Sequence, residues 1–211
     1  MIPVKEAWMD ALNKRHGAQL QNRFSSATVA ICGLGGLGSN IAIALARAGI
    51  GKLILIDFDR VDITNLHRQQ YKANQIGRYK TEALAENLLE IAPYIEIETI
   101  TEQITEVNIS FLLKDADIVC EAFDNAEAKA MLVNGILEQF PDYYLVAASG
   151  MAGLGTPNTI RTRRITKRFY LCGDETNDVA DTIGLIAPRV MLCAAHQAHT
   201  VLRILAGEYE I

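Results

Sequence analysis

The chain has 211 residues, half of them hydrophobic, and a formal net charge of −5 at pH 7. Such a chain can bury a substantial core in one domain. The mild acidity and the lack of a long basic run make a nucleic-acid partner unlikely, no apolar stretch has membrane-spanning length, and the first residues lack the apolar region of a signal peptide. We therefore expect a cytoplasmic protein that does not enter a membrane.

Apolar runs alternate with amphipathic segments along the chain, which predicts an α/β fold. A helix is predicted over 4–21, so residues 1–25 form a helical segment ahead of a single domain over 26–211. Strands are predicted over 27–32, 52–56, 94–100, 118–122 and 144–148, and helices over 37–48, 81–91, 108–113, 126–138 and 188–206. The sheet should therefore be Rossmann-like, doubly wound and mainly parallel. Residues 158–164 and 165–170 predict an antiparallel extension, and 174–182 a polar loop.

A glycine-rich turn follows the first predicted strand, and the second strand ends on Asp57. A G-x-G-x-x-G motif that lies between a strand and a helix, with a second strand ending on an acid, is typical of a nucleotide-binding site. Gly33 allows the tight exit from the strand, Gly35 and Gly36 let backbone amides approach a phosphate, and Gly38 lets the helix pack close to the sheet. Asp57 is suited to bind ribose hydroxyls. The motif alone does not separate NAD, FAD or ATP, and a turn without a ligand is the plainer alternative.

Three further motifs follow the glycine turn in order. They are Asn65-Leu66-His67-Arg68-Gln69 with Gly77-Arg78-Tyr79-Lys80, then Cys120-Glu121-Ala122-Phe123-Asp124-Asn125, and then Gly184-Leu185-Ile186-Ala187-Pro188. Together they resemble N-L-x-R-Q, G-x-x-K, D-x-x-D-N and the late helix start of the ThiF/MoeB/HesA family, within the ubiquitin-activating-enzyme-like superfamily. The resemblance spans about 27–206 and is closest to the short ThiF-like family 2 of thiamine biosynthesis.

The resemblance implies a reaction. Members of this family bind ATP and Mg²⁺ and the C-terminal Gly-Gly of a small ubiquitin-like sulfur-carrier protein, which here would be ThiS-like. The terminal carboxylate attacks the α-phosphate, giving an acyl-adenylate and pyrophosphate. Residues 26–211 would then be an ATP-binding adenylyltransferase domain acting in thiamine biosynthesis.

The resemblance also assigns residues. Arg68 and Lys80 would hold the phosphates, while Asn65 and Gln69 would orient the triphosphate or the carboxylate. Asp124 would hold Mg²⁺, whose usual ligands are a carboxylate and substrate phosphates. These types suit phosphoryl transfer between two anions, which depends on positioned cations and charge stabilisation.

Each assignment has a plainer alternative. Cations in a polar stretch are usually solvated surface charges. Asp59 and Asp62 are more typical of turn or cap residues than of ligands. Asp124 or Asn125 could cap the helix near Ala126, since both are good N-caps.

An arginine near the N-terminus carries a further implication of the resemblance, because the family supplies one from a neighbouring subunit. Arg15 matches that pattern weakly, and Arg23 competes with it. The active unit would then be a homodimer. A solvated surface charge is the alternative for either residue.

The segment 147–155 is rich in small residues and follows a predicted strand. We expect close backbone approach here to an extended guest, such as a Gly-Gly tail. A flexible connecting loop is the alternative.

The four cysteines of the chain contain no C-x-x-C pair, so no zinc is expected. Cys32 and Cys120 lie in apolar strand-like runs and should be core residues. Family members with covalent intermediates carry a cysteine where this chain has Ala180. Cys172 could be a displaced nucleophile, so the sequence leaves covalent catalysis open.

Other classes of function remain. An NAD-dependent oxidoreductase would explain the glycines and Asp57 but not the later motifs. A non-catalytic carrier-binding module would not need Arg68, Lys80 and Asp124 together. A third alternative is an enzyme like tRNA-threonylcarbamoyladenosine dehydratase, which the same superfamily includes.

Overall fold

The computed structural model describes residues 2–176 and 183–211. Its strands are β1 (Thr28–Cys32), β2 (Lys52–Ile56), β3 (Glu96–Ile100), β4 (Ile118–Glu121), β5 (Tyr144–Ala148), β6 (Arg161–Arg164) and β7 (Phe169–Gly173). They form one sheet in the order β3-β2-β1-β4-β5-β7-β6. The β6–β7 pair is antiparallel and the other pairs are parallel. The predicted doubly wound, mainly parallel sheet with an antiparallel extension is confirmed.

Helices cover both faces of the sheet. They are α1 (Lys5–His16), α2 (Ala18–Ser26), α3 (Gly36–Ala48), α4 (Lys80–Ile91), α5 (Ile109–Leu112), α6 (Ala126–Gln139) and α7 (Ala187–Ala206). Val29 and Ile31 of β1 join a core with α3, α4 and α7, while Ala30 and Cys32 join a second core with α5 and α6. This alternation follows from the period of two along a strand. Within the described residues, no helix combines the length and hydropathy needed to cross a membrane.

The site is positioned by a reversal of winding. The chain builds β2 and β3 on one side of β1, and then places β4 and β5 on the other side. The carboxyl ends of these parallel strands meet at one edge of the sheet. In doubly wound sheets, ligands bind at this edge where the order reverses, here between β1 and β4.

The structure differs from the predicted elements at several places. The strand predicted over 158–164 begins at Arg161, because residues 157–159 form a 3₁₀ helix, and the strand predicted over 94–100 begins at Glu96. The helix predicted over 4–21 is divided at Gly17, whose φ of +82° a helix cannot contain. The last strand covers 169–173 rather than 165–170. Residues 165–168 form the turn instead, since the Ile165 amide donates to the Phe169 carbonyl at 2.8 Å.

Candidate active site

A cleft of about 1290 Å³ lies at the carboxyl edge of the sheet. Nine of the predicted site residues line it: Gly33, Gly35, Gly36, Asp57, Asn65, Arg68, Gln69, Lys80 and Asp124. Motifs that are up to 91 residues apart in sequence therefore meet around one cavity. Its lining does not include Gly38 or Arg15.

The glycines of the turn have different physical roles. Gly33 has a φ of +90°, which favours glycine. A Cβ on Gly38 would overlap the Gly33 carbonyl oxygen, so Gly38 serves the close approach of α3 to β1. A Cβ on Gly35 would meet nothing nearer than the Gln69 Nε2 at 3.7 Å. The Gly35 backbone therefore faces the open cleft, while Gly38 is packed beneath it.

Asp57 and Lys80 form a buried charged pair at the end of β2. The Asp57 carboxylate accepts hydrogen bonds from the Leu34 amide at 2.7 Å and the Asp59 amide at 2.8 Å. The Lys80 Nζ lies 2.7 Å from the Asp59 Oδ2 and 3.8 Å from the Asp57 Oδ2. Burial raises the pKa of Asp57 above its usual value, and the charge of Lys80 and the two amides oppose that rise. The Asp57 and Asp59 carboxylates keep the Lys80 ammonium group at the cleft. The hydrogen bond from the Leu34 amide to Asp57 ties the glycine turn to the end of β2.

Two buried polar atoms in the cleft have no hydrogen-bond partner in the described part of the chain. They are the Arg68 Nε, a donor, and the Gln69 Oε1, an acceptor. Buried polar groups are nearly always paired in native proteins, so such atoms in a cavity fit a polar ligand. Asn65 has a structural bond already, since its Oδ1 accepts from the Asp62 amide at 3.1 Å. Asp62 caps the short 3₁₀ helix over 63–65, as the sequence indicated.

Asp124 is exposed on the opposite wall of the cleft, in the turn after β4. The competing cap role belongs to its neighbour, because the Asn125 side chain accepts from the Ala128 amide at 2.9 Å. Asp124 is therefore not needed to begin α6. The described residues contain no cluster of three or more metal-ligating side chains. A single carboxylate at a cleft that can hold a nucleotide fits Mg²⁺, which takes few protein ligands and completes its shell with phosphates and water.

Lys129 is a cleft residue that the sequence analysis missed. Its Nζ lies 2.6 Å from the Glu121 Oε2 and 2.8 Å from the Ala148 carbonyl oxygen. Glu121 is fully buried, and its Oε1 accepts from the Phe123 amide at 2.7 Å. Burial raises the pKa of Glu121, while Lys129 opposes that rise. The sequence signal for this pair was an acid at the end of an apolar strand, Glu121, followed eight residues later by Lys129.

A second missed residue is Arg189, at the start of α7. Arg189 is 6% exposed, and its guanidinium donates to the carbonyls of Ala152, Gly155 and Thr156 at 3.2, 2.8 and 2.9 Å. It also forms an ion pair with Asp174. Residues 149–152 of the small-residue segment line the cleft. This segment is therefore held to α7 by a buried arginine, which the flexible-loop alternative did not foresee.

Cys172 lies away from the cleft lining and is fully buried on β7. Burial raises the pKa of its thiol to about 11. A nucleophilic cysteine needs access and a stabilised thiolate, and Cys172 has neither. Cys32 and Cys120 are core residues, as predicted. Ala180, the position matched to the family's cysteine, lies outside the described residues.

The two candidate N-terminal arginines differ in their contacts. Arg15 is exposed in the last turn of α1. Arg23 donates to the Ala206 carbonyl at 2.7 Å and so caps the end of α7 in its own chain. Arg15 is thus the better placed of the two to reach another molecule.

The chain is similar to several known proteins. The chain is 27% identical over 212 residues to "Adenylyltransferase and sulfurtransferase UBA4" of Lodderomyces elongisporus, covering 93% of this chain and 46% of that protein. It is 39% identical over 113 residues to the tRNA threonylcarbamoyladenosine dehydratase of Haemophilus influenzae, covering 53% of this chain and 43% of that one. The chain thus spans less than half of either relative.

The fold is shared with a solved structure, that of E. coli tRNA N6-threonylcarbamoyladenosine dehydratase, TcdA, in complex with AMP. The TM-score is 0.86, the sequence identity is 21%, and 99% of each chain is covered. The model of the ThiF family matches residues 10–211, which is nearly the whole chain. The chain therefore belongs to the ThiF family.

Proposed function

We propose that this chain is an ATP-dependent adenylyltransferase that activates a carboxylate. The observation that carries the proposal is the single cleft where the glycine turn, Arg68, Gln69, Lys80 and Asp124 meet. The Arg68 Nε and the Gln69 Oε1 belong to residues that line this cavity and have no hydrogen-bond partner within the described residues, which fits a polar ligand. An oxidoreductase would leave these groups without a role.

Each group of residues around the cleft would bind a different part of ATP. The glycine turn and the start of α3 would receive phosphate oxygens on backbone amides, aided by the helix dipole. Arg68 and Lys80 would bind the triphosphate from one side, and Asp57 would accept from the ribose. Because phosphoryl transfer depends on alignment and charge stabilisation, fixed cations can lower the barrier without forming a covalent bond to the substrate. A carboxylate oxygen would attack the α-phosphorus as the bond to pyrophosphate breaks.

Asp124 would hold Mg²⁺ against the phosphates from the opposite wall. The bound cation would neutralise charge that develops on the phosphate oxygens. Its single carboxylate leaves room for the substrate to supply the remaining ligands.

For the substrate, we propose the C-terminal Gly-Gly carboxylate of a ubiquitin-like sulfur carrier, ThiS-like and serving thiamine biosynthesis. The small-residue segment supports this choice, since Ser149, Gly150 and Ala152 line the cleft beside Met151, and the first three have little side-chain volume. A tail without side chains suits such a channel. The relative from Lodderomyces elongisporus is named as both an adenylyltransferase and a sulfurtransferase, which fits a sulfur carrier.

A second candidate substrate is a tRNA bearing threonylcarbamoyladenosine, whose threonyl group carries a carboxylate. The likeness to TcdA over 99% of each chain favours it. The net charge of −5 does not, because RNA binding draws on basic surface.

ATP–pyrophosphate exchange tests the proposal. The purified chain is incubated with Mg²⁺, ATP, labelled pyrophosphate and a panel of small carriers ending in Gly-Gly, ThiS-like ones included. A parallel arm replaces the carrier with tRNA containing threonylcarbamoyladenosine. Exchange that needs one carrier supports the first substrate, and exchange or AMP release that needs the tRNA supports the second. No turnover in any arm, despite ATP binding, contradicts adenylation.

Asp124→Asn tests the metal assignment. The variant should keep the fold, because Asn125 makes the helix cap, but should lose Mg²⁺-dependent exchange by about 100-fold or more. Asn125→Ala is the matched control; it should cost about 1 kcal/mol of stability with a smaller effect on exchange. Normal turnover of the Asp124 variant would end the assignment.

A further inference from the structure

The Glu121–Lys129 pair spans a gap in the sheet at the cleft. The β4–β5 ladder ends at Cys120 and Val146. Beyond it, the two strand ends no longer pair through their backbones. On the α6 face, Lys129 joins the Glu121 carboxylate to the Ala148 carbonyl oxygen.

A second bridge closes the same gap on the other face of the sheet. The Gln197 Nε2 of α7 donates to the Glu121 carbonyl at 2.9 Å and to the Val146 carbonyl at 3.2 Å. Side chains therefore replace the ladder where the strands separate. The spacing of the two strand ends at the cleft depends on these bridges.

Each strand end leads directly into a wall of the cleft. After β4, the Glu121 Oε1 holds the Phe123 amide, and Asp124 follows. After β5, the Ala148 carbonyl bound by Lys129 precedes Ser149, which lines the cleft. One ion pair thus sits between the proposed metal side and the proposed guest side.

The pair is costly to maintain, which argues against a passive role. Glu121 is fully buried, and the Lys129 side chain is 26% exposed at the cleft. Burying an ion pair gives little or no net stability, and hydrophobic replacements often do as well. The Glu121–Lys129 pair is therefore better explained by the geometry that it imposes on the ends of β4 and β5.

We propose that Glu121 and Lys129 are a positioning pair that sets the distance between the Asp124 turn and the 149–152 segment, and thereby aligns the guest carboxylate with the α-phosphate. The catalytic consequence rests on the proposed adenylation. The geometric part does not, because it concerns only the two strand ends.

The experiment compares Lys129→Met, Lys129→Arg and Glu121→Gln with the wild type, using the exchange assay and the carrier or tRNA that supports it. Lys129→Met should lower stability, because it leaves the buried Glu121 carboxylate without its cation, so it is assayed at a temperature where it is folded. There it should bind ATP with nearly unchanged affinity but lower kcat on the order of 10- to 100-fold, since small misalignments are that costly. Glu121→Gln should behave similarly. Lys129→Arg keeps the charge and both bonds and should restore most of kcat.

Lys72→Met is the matched control, because it breaks a lysine–glutamate pair of similar length outside the cleft lining. It should leave kcat unchanged. Wild-type kcat in Lys129→Met, or an equal loss in Lys72→Met, overturns the proposal. A loss in Lys129→Met that appears only as weaker ATP binding does so as well.

Hydrogen exchange separates this proposal from the adenylation proposal. In Lys129→Met, amide exchange should accelerate in 121–124 and 148–152 and stay unchanged in β1–β3. If the wild type shows no ATP–pyrophosphate exchange, the adenylation proposal fails. The hydrogen-exchange rates of these amides still test whether the Glu121–Lys129 pair positions the two strand ends. Unchanged protection at both segments would contradict the positioning role whatever the reaction is.

Discussion

Substitutions at two glycines of the turn, Gly38 and Gly35, should separate an effect on stability from an effect on ATP binding. Gly38→Ala places a Cβ on the Gly33 carbonyl oxygen, where neither backbone can move without displacing α3. We expect a loss of about 1–3 kcal/mol of unfolding free energy, measured by urea denaturation, because overpacking outweighs the gain in helix propensity.

Gly35→Ala is the matched variant. The nearest atom to a Cβ on Gly35 is the Gln69 Nε2 at 3.7 Å, so the methyl group meets no clash. Stability should change by less than about 1 kcal/mol, while calorimetry should show weaker ATP binding because the methyl group narrows the approach to the backbone. Equal stability of the two variants would contradict the division of roles.

The cysteines give a second prediction at this scale. All four are buried, and a thiol with a pKa of about 11 has on the order of one thiolate in a thousand at pH 8. The native protein should therefore show no fast-reacting thiol with Ellman's reagent at pH 8, and four after unfolding in urea. A rapid native thiol that maps to Cys172 would reopen covalent catalysis.

Sequence alone could predict the site residues that belong to contiguous motifs. Motifs that resemble the ThiF/MoeB/HesA family predicted that Arg68, Gln69 and Lys80 belong to the nucleotide site, and all three line the cleft. Lys129 was missed although its partner Glu121 is only eight residues away, whereas Arg189 was missed because its role depends on partners distant in sequence. Arg189 binds the Ala152 carbonyl 37 residues away, and no local pattern encodes that contact.

At the scale of elements, Arg189 fastens three pieces of chain together. It ties the start of α7 to the 152–156 carbonyls and to Asp174 after β7. Its side chain is 5% exposed and that of Asp174 is 1% exposed. Arg189→Met should cost about 3–5 kcal/mol of unfolding free energy, because it removes a buried guanidinium that binds three backbone carbonyls and the Asp174 carboxylate. Limited proteolysis should then cut within 152–160.

Arg163→Met is the control for that variant. Arg163 also pairs with a nearby acid, Glu175, but its side chain is 54% exposed. Exposed pairs contribute little, so its stability should change by less than about 1 kcal/mol, with no new cleavage. Comparable losses in the two variants would contradict a buried clamp.

Element boundaries were predictable where hydrophobic periodicity was strong, as in β1, β2 and α7. They were not where one residue's backbone angle decides. Gly17 divides the N-terminal helix through its φ of +82°, although the helical pattern continues across it. The register of β7 was set by pairing with β5, which local sequence does not reveal.

At the scale of the molecule, the alternation of strands and helices was enough to predict the doubly wound sheet and the edge where the motifs meet. The parallel order brings the ends of β1, β2, β4 and β5 together, so motif order in sequence becomes proximity in space. Contacts with a second molecule are not encoded in this way.

The proposed homodimer gives the prediction at this scale. Arg15 is exposed on α1 and absent from the lining of its own cleft, so it would act in a partner's cleft. Arg15→Ala and Asp124→Asn should each be inactive alone. Mixed and re-equilibrated in equal amounts, they should regain about a quarter of wild-type exchange, because half of the dimers then hold one intact site.

Arg23→Ala is the control for that mixture, since Arg23 caps α7 within its own chain. It should lower stability and should not complement Asp124→Asn beyond its own activity. Light scattering would establish the dimer in the same samples. No recovery in the Arg15→Ala mixture, in samples shown to exchange subunits, would mean that Arg15 does not complete a partner's site, because complementation requires each chain to supply what the other lacks.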